Sequence, residues 1–73
     1  MHEERLFTLK EEYITLGQLL KAADIVSSGG EVKPFLAEGG ITVNGEDENR
    51  RGRKLRPGDQ VVFPDGTTLR MQA

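Results

Sequence analysis

Leu16, Leu19, Leu20 and Ala23 recur at i, i+3, i+4 and i+7, a spacing that gives a helix one apolar stripe to bury. Thr15 and Gln18 stand three residues apart at the head of that stripe. This is the capping-box pattern, in which two otherwise orphaned amides are satisfied reciprocally. Ile14 and Leu19 fall at the N′ and N4 positions of a hydrophobic staple around the same cap. Gly17 costs such a helix roughly 1 kcal/mol relative to Ala, and it permits close packing against a neighbour. Ile25 and Val26 are expected to bury as the chain turns, and Ser27-Ser28-Gly29-Gly30 ends the first helical unit.

Ser28 and Glu31 repeat the cap spacing, so a second helix is expected to follow and run to Glu38. Counted from Ser28, Pro34 lies beyond the first turn and forfeits an amide hydrogen bond. A start at Glu31 reduces that cost, because the first four amides of a helix lack partners anyway. The later start is therefore preferred. Val32, Phe35 and Leu36 form its apolar face, Lys33 lies beside that face, and Gly39-Gly40 ends it, one of the pair at positive φ.

The rest reads as strands and tight turns. Leu6 to Leu9 can form a short strand, and Ile41-Thr42-Val43 leads into the hairpin signal Asn44-Gly45. Glu46 to Arg51 is too polar for a central strand. Leu55 is a core anchor between basic groups, and Pro57-Gly58 turns the chain into Val61-Val62-Phe63, its strongest strand. After Pro64-Asp65-Gly66, Thr67 to Met71 can pair back and bury Leu69 and Met71. The expected fold class is α+β: two short packed helices against a small, mainly antiparallel sheet.

Seventy-three residues, 36% hydrophobic and 30% charged, make one soluble domain spanning 1–73 rather than a disordered tail. There is no cysteine, and His2 is the only histidine, so disulfide, thiolate and imidazole-metal chemistry have no support. No cofactor is expected. The apolar stretches fall far short of the roughly 20 residues that cross a bilayer, and Met1 to Arg5 does not resemble a secretion signal. A cytoplasmic monomer without membrane association is the expectation.

Charge changes the picture through its distribution. The net charge is −2, but residues 1–49 hold four basic and ten acidic groups, a balance of −6. Residues 50–73 hold six basic and two acidic groups, a balance of +4. Arg50, Arg51, Arg53, Lys54 and Arg56 supply five of the ten basic side chains within seven positions. Neighbouring guanidinium forks suit successive phosphates, and such contacts give salt-dependent affinity. The competing reading is a solvated loop whose arginines pair with Glu46, Asp47 and Glu48, and exposed pairs of that kind contribute little.

The order Leu16–Ala23, Gly30–Gly39, Ile41-Thr42-Val43-Asn44-Gly45-Glu46 and Lys54-Leu55-Arg56-Pro57-Gly58-Asp59-Gln60-Val61 resembles the S4 RNA-binding domain. That domain is known from ribosomal protein S4, pseudouridine synthases, tyrosyl-tRNA synthetases and small stand-alone proteins. The likeness covers about residues 12–63, leaving 64–73 as a terminal hairpin strand, and the run from Arg50 to Asp59 looks like the stand-alone members. It implies non-catalytic docking on structured RNA (ribosomal, transfer or another folded RNA), with a ribosomal or other RNA-associated protein as a further partner. Since S4-like domains meet RNA on the helix pair, Lys33 and, with less weight, Lys21 join the arginine cluster as candidates. Ser28, with the amides of Gly29 and Gly30, is a candidate phosphate contact, although capping and turning explain it equally well. The chain departs from the family at Ser28-Gly29, where a Ser-Arg pair is common, and at Pro34. The arginine segment is expected to fold alongside Lys33 into a continuous cationic platform.

Three Phe and one Tyr, most of them read as buried, argue against recognition by stacked bases and for recognition of RNA shape and backbone. Two other classes remain. A protein-interaction module would use the acidic and basic faces without RNA. An enzyme finds no histidine–carboxylate pair, activated cysteine or phosphate loop in this sequence. DNA is distinguished from RNA only by contacts to the 2′-hydroxyl.

Overall fold

The cap predicted at Thr15 closes as the spacing requires: Gln18 N donates to Thr15 Oγ1 at 3.2 Å, and Thr15 N donates to Gln18 Oε1 at 3.0 Å. From it runs α1, Leu16–Ala22, with Leu16, Leu19 and Leu20 buried. These details come from a computed structural model that describes residues 3–73. The readings made for Met1 and His2 lie outside the described residues.

The second helix, α2, spans Val32–Ala37 and follows a 3-10 turn over Gly29–Glu31. Pro34 is thus its third residue, where the missing amide hydrogen costs nothing. The cap spacing at Ser28 does not mark a side-chain cap. Ser28 caps neither turn nor helix with its hydroxyl; instead Glu31 N donates to the Ser28 carbonyl at 3.1 Å. The intervening turn is wound too tightly for a capping box, and the Glu31 carboxylate accepts from Ser27 N at 3.2 Å. Both Gly39 and Gly40, not one, take positive φ, at 78° and 87°. A Cβ on Gly40 would meet Pro64 Cγ at 2.9 Å, so the helix exit admits no side chain there.

Among the described residues seven strands complete the fold: β1 Glu3–Thr8, β2 Ile14–Thr15, β3 Thr42–Val43, β4 Glu46–Asp47, β5 Lys54–Leu55, β6 Gln60–Val62 and β7 Thr67–Gln72. Five of them form one sheet in the order β1-β7-β6-β3-β4, and β2 pairs with β5 separately. All pairings are antiparallel except β1 with β7, which run parallel from Glu3↔Thr67 to Thr8↔Gln72. Asn44 and Gly45 join β3 to β4 at φ 52° and 87°, the two positive values that a type I′ hairpin requires.

Register explains the core. Val43 stands opposite Val61, which stands opposite Leu69, so three strands present one apolar row. Those side chains and Met71 join Leu16, Leu19, Leu20, Val32, Leu36 and Leu55 in a single buried cluster between helices and sheet. The α+β architecture expected from the sequence is the one observed. Among the described residues no helix is long and apolar enough to cross a membrane.

Candidate nucleic-acid interface

The arginine-rich segment is seated on the first turn of α1. Leu16 N donates to the Arg53 carbonyl at 2.8 Å and Gly17 N to the Arg51 carbonyl at 2.9 Å. Amides that a helix start leaves orphaned therefore fix the loop backbone. Gly17 makes this approach possible, because a Cβ there would stand 3.3 Å from the Arg51 carbonyl oxygen and 3.5 Å from Val32 Cγ1. The loop tightens further where Arg53 N donates to the Arg50 carbonyl at 3.2 Å.

β5 then leaves the loop and pairs with β2 in the register Ile14↔Leu55 and Thr15↔Lys54. Strand side chains alternate between faces. Leu55 is fully buried and Ile14 packs on the core, so Lys54 and Arg56 are turned outward, with Tyr13 on the same outer face. Lys54 Nζ lies 5.0 Å from the Tyr13 ring centroid and Arg56 Cζ 5.8 Å from it, within the range of cation–π attraction.

Arg50, Gly52, Arg53, Lys54, Arg56 and Asp59 line one open cleft of about 630 Å³. Asp59 forms no ion pair with these cations among the described residues. Its carboxylate accepts from Asn44 Nδ2 at 3.0 Å and from Arg56 N at 2.8 Å, which closes the turn after β5 and ties it to the β3–β4 hairpin. Asn44 is fixed from the other side as well, its Oδ1 accepting from Gln60 N at 3.0 Å.

Of the three acids expected to compete for the arginines, Glu48 is the one that does so. Its side chain is buried and accepts from Arg50 Nε at 2.9 Å, Arg50 Nη2 at 3.1 Å and Arg53 Nη1 at 3.2 Å. Side-chain hydrogen bonds from Arg50, helped by its backbone amide and by the charge of Arg53, hold the Glu48 carboxyl down to about 2 against the opposing cost of burial. Arg50 is pushed upward by the same partner. Among the described residues Arg51, Lys54 and Arg56 enter no ion pair.

Arg51 and the remaining candidates lie around this cleft rather than in it. Lys21 lines a neighbouring groove with Tyr13, Ile14, Thr15 and Gln18, and its Nζ lies 4.0 Å from where a Cβ on Gly29 would stand. Lys21 and the Ser28–Gly30 turn are therefore brought together. Lys33 is exposed on α2 next to Val32, which meets the Arg51 segment over Gly17. Lys33 lines neither cleft.

Tyr13 escaped the sequence reading, and Glu48 was named there only as one of three acids. Tyr13 is 40% exposed, the exception among the four aromatics; Phe63 is buried, and Phe7 and Phe35 are half-buried. Glu48 is the buried organiser of two arginines. The readable signal for Tyr13 was the pair of alternating triplets Tyr13-Ile14-Thr15 and Lys54-Leu55-Arg56.

Two short helices on a small mixed sheet, with a basic loop seated on the first helix, define the class. The S4 domain family matches over residues 7–71, and the chain belongs to that family of RNA-binding domains. It is also similar to a Bacillus subtilis (strain 168) protein named Probable ribosome maturation protein RlbA. The two are 56% identical over 54 residues, which cover 74% of this chain and 76% of the relative.

Proposed function

We propose that the chain docks on structured RNA through the surface of Arg51, Lys54 and Arg56, supported by Arg50 and Arg53, and that the RNA is ribosomal. The observation that carries this reading is a set of basic side chains on a backbone pinned to α1, three of them without an acidic partner among the described residues. Preorganised cations meet phosphates without the ordering cost of a free loop. Lys21 and Ser28 form the flank of the same surface and contribute less, while Lys33 stands apart on α2. The family supports RNA as ligand, and the name of the Bacillus subtilis relative supports ribosome maturation as the setting. The domain positions itself on folded RNA and performs no chemistry, since the cleft groups are guanidinium, ammonium and an internally bonded carboxylate.

Hairpins taken from ribosomal RNA, titrated with the protein over a salt series, test this. Charge reversal at Arg51, Lys54 and Arg56 is expected to remove most of the affinity. It should also flatten the logarithmic salt slope by about 2 to 3, close to one unit per lost phosphate contact. An unchanged affinity and slope in the triple variant rejects this surface. Binding to acidic proteins but to no RNA assigns the chain to protein interaction instead.

A further inference from the structure

We infer that Tyr13 is a stacking platform for one unpaired RNA base, with Lys54 and Arg56 taking the phosphates beside that base. The inference rests on the RNA-docking reading above and adds the feature of the RNA that the site selects. Helical RNA alone does not satisfy this corner of the molecule, because a paired base offers no free face to an aromatic ring.

The β2–β5 ribbon sorts its side chains by face. Ile14 and Leu55 go to the core, and Thr15 is committed to the α1 cap. Continuing the antiparallel register by one step sets Tyr13 opposite Arg56, with Lys54 diagonal to Tyr13 and two residues before Arg56 on the same strand. The ring is 40% exposed and is approached by two cations. Neither cation has a carboxylate partner among the described residues, so a polyanion can draw both toward its phosphates. The ring face they leave is then open to a base, whose own π-face takes their place. Base stacking on an exposed aromatic within a basic groove is a mode open to every base. The groove beside Tyr13, bounded by Phe7, Ile14, Gln18 and Lys21, is open to solvent and gives such a base somewhere to enter.

Tyr13 is the sole tyrosine and the chain has no tryptophan, so tyrosine emission reports on this ring alone. The test compares three RNA hairpins: fully paired, carrying one bulged adenosine, and carrying an abasic ribose at the bulge. The bulged hairpin is expected to bind about tenfold more tightly than the other two, toward the low end of what one stacked base contributes. It alone quenches the emission strongly, the abasic hairpin serving as the absorbance control. Tyr13→Ala should erase the tenfold preference while binding the paired hairpin as before, and Tyr13→Phe should keep it. Equal affinity and quenching for all three hairpins overturns the inference and leaves RNA docking intact, as does a Tyr13→Ala variant that weakens all three alike. An oligoglutamate peptide that quenches as strongly as the bulged RNA also overturns it. If no hairpin binds at all, the docking reading falls and takes this inference with it.

Discussion

A single carboxylate decides how the arginines are presented. Glu46, Asp47 and Glu48 stand together in the sequence and look equivalent. Only folding separates them: Glu46 and Asp47 lie exposed on β4, while Glu48 is 8% exposed beneath Arg50 and Arg53. Because its carboxyl is held near 2, below the ordinary 4.5, Glu48 stabilises the fold fully above about pH 4.5. That contribution fades as pH falls toward 2, since the unfolded chain takes up the proton first. Arg50 is largely exposed, so solvent screening reduces the effect. Glu48→Gln is expected to melt earlier than the parent at neutral pH and to converge with it near pH 2. Thermal melts across pH check this, and a gap that persists undiminished in acid would mean that charge is not the cause. Nothing local in the sequence distinguishes Glu48, because its role depends on where the loop is seated.

At the scale of elements, α1 acts on its neighbour as much as on the core. Its stripe, cap and start were legible because they depend on spacings of three and four residues that local chemistry enforces, whereas it ends at Ala22, ahead of the expected stop at Ser27–Gly30. The hairpin at Asn44-Gly45 was legible for the same reason, since it needs two residues that accept positive φ. The β2–β5 ribbon was not: each strand has two residues, too few to establish a period. The docking of the Arg51–Arg53 backbone on α1 was equally hidden, although Gly17 hinted at a close neighbour. Gly17→Ala puts this docking to the test. An alanine in a helix normally gains roughly 1 kcal/mol over glycine, but here its Cβ would press on a carbonyl held by the helix's own amide. Denaturant titration is expected to return a stability equal to or below that of the parent, together with weaker RNA binding. A full gain in stability would show the loop to be free of α1.

For the whole molecule, the loop and strand from Arg50 to Arg56 concentrate five of the ten basic side chains in a chain whose net charge is −2. Long-range attraction to the basic loop and repulsion from the acidic remainder favour one mode of approach. Salt weakens that steering, because charges further apart than about 10 Å are screened at ordinary ionic strength. The division was visible in the sequence, but which cations remained available was not. Glu48 engages two of the five, and Lys33 stands apart on α2, lining neither the loop's cleft nor the groove beside Tyr13.

The parallel pairing of β1 with β7 has a consequence for solubility. β7 is a six-residue ribbon containing Leu69 and Met71, and β1 covers one whole side of it with a strand that opens Glu3-Glu4-Arg5. A bare hydrogen-bonding margin of that length would recruit strands from other copies. β1 thus serves as a charged guard rail. A version beginning at Leu9 is expected to cluster into large particles at concentrations where the intact chain stays dispersed, a difference that light scattering would register.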